Sequence, residues 1–364
     1  MNWESPNREN MDLYKNLYKG SKIEYKNSEE TQQTKVEENK LNTINKINEY
    51  VKDSNILEDF EILNHCNSGS VGIVLNGKSK KTKNSKLFAF KFVIKQNNED
   101  QDNVEIPIHG KLKHKNIPNI YQSYKIKNGS CIVMEYMKYG DLSNFRKVYL
   151  KKKCLSESFI CFVAYQILEA ILYLHMNKII HLDIKPQNVL IDDFLNVKLT
   201  DFSISYNYKS SKKDITLPKA GTCYYISPEV LNEKTIKVTD ASKIDIYSFG
   251  VLLYVLAFND YPYELNNVKN TDYEEIAKNI KEKNLQFPEN TGHSNMFKNF
   301  VKKCLDKDIN NRYNIYEAMN DPWIRAYKIL LNEKEKILNG SKFLINMMTD
   351  SIFEFNEFLQ KKAK

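Results

Sequence analysis

Arginine is nearly missing from this chain of 364 residues: Arg8, Arg146, Arg312 and Arg325 are the only ones among 54 basic positions, and lysine supplies the rest. With abundant Asn, that skew reads as codon bias from an AT-rich genome, not as adaptation to a polyanion. The formal net charge is +8, but the lysines are spread evenly, as on a solvated surface, so no nucleic-acid partner is expected. Six cysteines, Cys66, Cys131, Cys154, Cys161, Cys223 and Cys304, form no C-x-x-C pair. Their scatter argues against a zinc site or a disulfide framework and for a reduced, cytoplasmic setting, with nuclear entry left open. No run approaches the ~18 to 20 apolar residues of a membrane span. Met1-Asn2-Trp3-Glu4-Ser5 lacks the apolar core of a signal peptide, and Asn2 stands where N-myristoylation requires Gly, so no membrane anchor is expected. A hydrophobic content of 41% still supports a sizeable core.

Against these absences stand two short segments rich in chemistry: His181-Leu182-Asp183-Ile184-Lys185-Pro186-Gln187-Asn188-Val189-Leu190 and Asp201-Phe202-Ser203. A phosphoryl group in transfer carries spread negative charge, so catalysis needs metal-holding oxygens, a cation and a carboxylate that orients the attacking hydroxyl. Asp183, Lys185, Asn188 and Asp201 are residues of those types. The two segments resemble the catalytic and metal-binding loops of eukaryotic protein kinases, H-R-D-L-x-x-x-N and D-F-G, with Leu182 in place of Arg and Ser203 in place of Gly.

Further landmarks of that family follow in order. Asn67-Ser68-Gly69-Ser70-Val71-Gly72-Ile73-Val74 resembles the glycine-rich phosphate loop with Asn67 for the first Gly; Asn tolerates positive φ better than most residues. Phe88-Ala89-Phe90-Lys91 is similar to the V-A-I-K strand, with Glu105 the expected partner of Lys91. Gly221-Thr222-Cys223-Tyr224-Tyr225-Ile226-Ser227-Pro228-Glu229 resembles the end of an activation segment. Asp245-Ile246-Tyr247-Ser248-Phe249-Gly250 resembles the central large-lobe helix, and Arg312 precedes Asp321-Pro322-Trp323-Ile324.

The resemblance implies an α+β, two-lobed protein kinase fold over residues 56–326, with a small β-rich lobe (56–134) carrying one main helix, a hinge (135–138) and a larger α-helical lobe (139–326). It implies a divergent Ser/Thr kinase, on Lys185-Pro186-Gln187-Asn188 and Gly221-Thr222, acting on protein substrates. Catalysis falls to Asp183, which orients the hydroxyl, and Lys185, which neutralises the phosphoryl. ATP is expected against Asn67, Gly69, Gly72, Val74, Ala89, Lys91, Glu105, Met134, Glu135, Met137, Asp141 and Leu190, with Cys66 in the adenine shell and Asp141 reaching the ribose or substrate. Asn188 and Asp201 are expected to hold Mg2+, with Mn2+ a substitute. Glu229 and Arg312 resemble a buried ion pair. Because Leu182 removes the Arg that receives an activation-loop phosphate, activity without that phosphorylation is expected. The rival is a pseudokinase scaffold, motivated by Asn67, Pro107, Leu182 and Ser203.

Outside the resemblance, residues 1–40 are polar and read as disordered. Leu41, Ile44, Ile47 and Val51 recur at helical spacing, so 41–55 is a short helix on the small lobe or a linker. From Ile56 to Lys95 the chain reads as strands, and Pro107 predicts a short or kinked helix around Glu105. Helices are predicted over 159–177, 243–258, 273–281 and 294–305. In 327–364, Leu344, Met347, Ile352, Phe355 and Leu359 form an amphipathic helical stripe that covers the domain or serves as a docking or dimer contact.

Overall fold

The computed structural model describes residues 47–326 apart from positions 48, 53, 70–71, 82–85, 95–104, 149–154, 193–195, 212, 270 and 290, with the backbone alone at 64–69, 72, 148 and 266–267. The polar segment 1–40, Leu41, Ile44 and the stripe in 327–364 lie outside the described residues.

The small lobe is an antiparallel sheet of β1 (Phe60–Gly69), β2 (Gly72–Ser79), β3 (Leu87–Ile94), β4 (Ile120–Ile126) and β5 (Gly129–Glu135), in the order β1-β2-β3-β5-β4. Alternation along β3 sorts its side chains between two faces. Phe90 and Phe92 are buried with Leu75, Cys131 and Val133 on one; Ala89 joins Ile132 and Met134 on the other, toward the cleft. Ile47 and Val51, one helical turn apart, complete the outer cluster with Ile56 and Phe60, and the carbonyl of Tyr50 accepts from the Lys127 amide at 3.0 Å. Within 41–55, residues 47 and 49–51 are helical.

One expectation is corrected here. Ile56–Asp59 is a helical turn, α1, and the first strand starts at Phe60; a run this short has no period that separates helix from strand. The helix α2 is described over Glu105–His109 with Pro107 inside it.

In the large lobe β6 (Gly140–Asp141) leads into α3 (Leu142–Val148) and α4 (Glu157–Met176). A three-stranded sheet, β6-β8-β9, uses β8 (Val189–Ile191) and β9 (Val197–Leu199). Two small ribbons join β7 (Ile179–Ile180) to β10 (Tyr206–Asn207) and β11 (Asp214–Ile215) to β12 (Ile236–Lys237). The remaining helices are α5 (Pro228–Leu231), α6 (Ser242–Phe258), α7 (Tyr273–Glu282), α8 (Asn295–Cys304) and α9 (Ile315–Asn320). Side chains of Ser156, Asp272, Ser294 and Asn314 cap α4, α7, α8 and α9 by accepting first-turn amides.

A second correction concerns apolar length. Glu157–Met176 and 238–258 are both long and apolar enough, by length and composition, to cross a membrane. Both lie mostly buried inside the large lobe, where a helix that is apolar all round packs on every side.

Candidate functional site

The cleft between the lobes is built from strand ends and tight turns. β3 points Lys91 inward, and its Nζ lies 2.8 and 2.7 Å from the two Glu105 carboxylate oxygens and 2.8 Å from Asp201 Oδ1. Burial pulls the Lys91 ammonium down, but the Glu105 and Asp201 carboxylates outweigh it and hold it above its ordinary value. Burial pushes the Glu105 carboxyl up against the pull of Lys91. Burial also pushes Asp201 up, yet Lys91 and a hydrogen bond from the Ser203 hydroxyl bring it below the usual carboxylate range. One ammonium faces two carboxylates, so the cluster keeps an excess negative charge beside Asp201.

Asp183 anchors the second cluster. Its Oδ2 lies 2.7 Å from Lys185 Nζ and accepts from Asn188 Nδ2 at 2.8 Å, and its Oδ1 accepts from the Thr222 hydroxyl at 3.2 Å. Lys185 Nζ also donates to Thr222 Oγ1 at 2.7 Å, so Thr222 bridges the two charged residues. Gly221 makes this turn possible: its φ is +102°, and a Cβ there would lie 2.9 Å from the Leu182 carbonyl. With the Asn188 amide nitrogen committed to Asp183, only its side-chain oxygen can serve a cation. That oxygen and the Asp201 carboxylate are hard donors of the kind Mg2+ takes.

Both loops hold a non-glycine residue at positive φ, Leu182 at 69° and Asp201 at 68°. Such strain persists only where the surroundings over-determine it. Asp245, fully buried on α6, accepts from the Leu182 amide at 3.0 Å, the His181 amide at 2.9 Å and His175 Nε2 at 2.8 Å. Burial alone would raise its carboxyl; the hydrogen bond from His175 and the charges of both histidines keep it low. Phe202 is fully buried, with ring centroids 4.6 Å from His109 and 5.0 Å from His181, so one column runs from α2 to the catalytic loop.

The other expected positions fall as follows. Asn67 pairs with Val74 and Gly69 with Gly72 along the β1-β2 hairpin; Val74, Ala89 and Met134 share the apolar cleft cluster of the small lobe. Leu190 lies on β8 opposite Asp141, and Met137 is buried in the crossing segment. The Asp141 carboxylate oxygens accept from the Asn144 amide at 2.9 Å and from Asn144 Nδ2 at 2.7 Å, in the first turn of α3. Glu135 is the last residue of β5: its amide donates to the Asn119 carbonyl at 2.9 Å and its side chain meets Lys198. The Cys66 side chain lies outside the described set.

Sequence reasoning missed the hydrogen bonds that Asp245 accepts from His175 and the catalytic-loop amides, and the hydroxyl of Ser203. Asp245 stands in the motif of the central large-lobe helix, but the motif names no partner for it.

A family model described as Protein kinase domain matches residues 60–324. The serine/threonine-protein kinase TIO of Arabidopsis thaliana is 31% identical over 273 residues, covering 74% of this chain and 19% of that protein. CBL-interacting protein kinase 10 of Oryza sativa subsp. japonica is 30% identical over 278 residues, covering 74% of this chain and 58% of that protein. An Aurora kinase of Yarrowia lipolytica is 30% identical over 271 residues, with 74% and 69% covered. The chain thus spans less than two thirds of the first two relatives' length.

Proposed function

The chain belongs to the protein kinase family, and from that premise we propose that it is an active Ser/Thr protein kinase, moving the γ-phosphoryl group of ATP to protein hydroxyls. The observation that carries this reading is the simultaneous assembly of Lys91–Glu105–Asp201 and Asp183–Lys185–Thr222 in one cleft. Mg2+, when bound by Asn188 and Asp201, would neutralise phosphate charge. Asp183 Oδ accepts the hydrogen bond of the incoming hydroxyl and sets its line of attack. Lys185, 14% exposed at its side chain, faces the same point and balances the charge that develops there. Lys91 holds the phosphates of the nucleotide while Glu105 keeps the ammonium in place.

A peptide-library phosphorylation assay with Mg2+ and ATP tests the reading. Wild type is expected to label Ser and Thr peptides, and Asp183→Asn to lose at least about a hundredfold in rate with an unchanged melting temperature. Wild-type-like turnover in Asp183→Asn would remove this assignment. Absence of Mg2+-dependent nucleotide binding in wild type would favour the scaffold instead.

The same proposal includes independence from activation-segment phosphorylation. It is supported by neutral anchoring: Tyr208, Ile215 and Leu217 are buried, and β10 and β11 each pair with a neighbouring strand.

A further inference from the structure

Lysine is even along the sequence, but the fold gathers four exposed lysines beside the point of phosphoryl transfer: Lys213, Lys219, Lys234 and Lys269. The Thr222 hydroxyl bonds Asp183 at 3.2 Å, and the three residues from Lys219 to Thr222 span at most about 11 Å of extended chain. The Thr216 and Thr235 hydroxyls, 3.5 Å apart, join this stretch to the one that carries Lys234. Lys213 belongs to the same ribbon, because its carbonyl accepts from the Val238 amide at 2.9 Å. Beyond Thr222, the Tyr224 hydroxyl donates to the Val268 carbonyl, which sets Lys269 beside the same turn. The carboxylates nearby are already committed. Asp214 stands opposite Lys237 in the ribbon, Asp260 accepts from the Tyr261 amide at 2.6 Å, Glu264 meets Lys283 at 2.8 Å, and Asp272 caps α7. Glu233 meets Lys219 at 3.0 Å, but with a side chain 66% exposed; such a surface pair is worth so little that an incoming anion displaces Glu233 at slight cost. Among the described residues no carboxylate pairs with Lys213, Lys234 or Lys269. The catalytic loop adds nothing to oppose them, since Asp183 is matched by Lys185 and the exposed Gln187 is neutral.

Resting on the kinase reading, we propose that the substrate is an acidic peptide, whose anionic side chains flank the acceptor hydroxyl and are held by Lys213, Lys219, Lys234 and Lys269. The anion is a carboxylate or the phosphate of a residue phosphorylated earlier; an ammonium recognises both by the same charge. A peptide that brings its hydroxyl to Asp183 runs past the turn at Thr222–Tyr224, and its neighbours on that flank then meet uncompensated positive charge. Exposed ammonium groups act by attraction over distance more than by fixed geometry, so they select and steer the peptide. Salt weakens that attraction, because the screening length is only about 8 Å at physiological ionic strength.

The test uses Ser peptides whose flanking positions carry Glu, phosphoserine, Ala or Lys. Wild type is expected to show kcat/KM about tenfold or more higher for an anionic flank than for Ala, with Lys the poorest and with KM for the anionic peptides rising as salt is added. In the quadruple variant Lys213→Gln, Lys219→Gln, Lys234→Gln and Lys269→Gln that ratio should fall to about twofold, while the dissociation constant of Mg·ADP by calorimetry and the melting temperature stay put. A gain with both Glu and phosphoserine assigns recognition to charge alone, and a gain with phosphoserine only assigns it to earlier phosphorylation; either supports the proposal. No anionic preference in wild type, a preference for Lys, or a ratio unchanged in the quadruple variant overturns it. If wild type phosphorylates nothing, the kinase reading fails, and fluorescence anisotropy of labelled peptides with Ala at the acceptor position still decides this one: equal affinity for Glu-flanked and Ala-flanked peptides overturns it.

Discussion

At the residue scale, Arg312 shows what an arginine is kept for in a chain that otherwise uses lysine. Its two terminal nitrogens meet the Glu229 carboxylate at 2.6 and 2.9 Å, Nε donates to the Asp306 carbonyl at 2.9 Å, and the guanidinium carbon sits 4.9 Å from the Tyr247 ring centroid. Lysine, a point charge on a flexible stem, cannot fill that planar fork and stack together. With Arg312 and Glu229 both buried, removing either leaves the other as an unpaired buried charge. Glu229→Ala and Arg312→Ala are each expected to destabilise the large lobe by roughly 3 to 5 kcal/mol, read by calorimetry. Unchanged melting temperatures in both would mean that the pair contributes nothing net. Arg146 follows the same logic, donating to the Val255 carbonyl at 3.0 Å and to Asn259 Oδ1 at 2.5 Å. The pairing of Glu229 with Arg312 was legible from motif order, because the motif supplies both positions. The contacts of Arg146 were not, since its acceptors lie on α6 far along the chain.

At the scale of elements, the activation segment is fastened by backbone pairing. Tyr206 pairs with Ile180 and Asn207 with Ile179; Asp214 and Ile215 pair with Lys237 and Ile236; the Val238 amide donates to the Lys213 carbonyl at 2.9 Å. These contacts need no charge. A Ser210, Ser211 and Thr216 triple Ala variant, treated with phosphatase, is therefore expected to keep turnover within about tenfold of wild type, or ~1.4 kcal/mol of barrier. A larger loss would show that a cation, with Lys209, Lys212, Lys213 or Lys219 the nearest in sequence, receives a phosphate there. The helical segment at 47–51 is the second such element. Ile47 and Val51 are 1% and 0% exposed against the outer face of the small-lobe sheet, and full burial of side chains of this size is worth about 1.5 to 3 kcal/mol each. Truncation before Ser54 is expected to lower the melting temperature and raise binding of an apolar dye, although the family match starts only at Phe60. An unchanged melt would show that the cap is dispensable.

For the molecule as a whole, the two loops were legible as local patterns because chemistry fixes residue type and spacing there; in the fold Asp183 meets Lys185 and Asn188, and Asp201 meets Lys91. The long helices were legible for a similar reason, since periodicity is local. What sequence could not supply was the direction of side chains across long separations, as with Glu135 toward Lys198, Arg146 toward Val255, or Asp245 toward His175 and the catalytic loop. Burial of histidine belongs to that second class, and it sets a pH dependence for the entire fold. His109 sits between Phe202 and the Pro118 carbonyl, and burial lowers its ring to about 4. His293, within 5.2 Å of the Phe258 and Phe297 rings, is likewise lowered by burial to about 4. Both rings are neutral in the fold and titrate near 6.5 when unfolded. Below that value the unfolded chain takes up protons that the folded chain refuses. The stability they contribute is therefore complete above pH ~6.5 and is lost progressively as the pH falls toward ~4. Buried Glu157, pushed up by burial, runs the opposite way, so the clean window lies between about pH 7 and 5. Urea midpoints across that window should fall steadily, and His293→Phe, which keeps a ring among the same aromatics, should flatten the slope by the equivalent of about one proton. A slope identical in wild type and variant would show that His293 is not neutral in the fold.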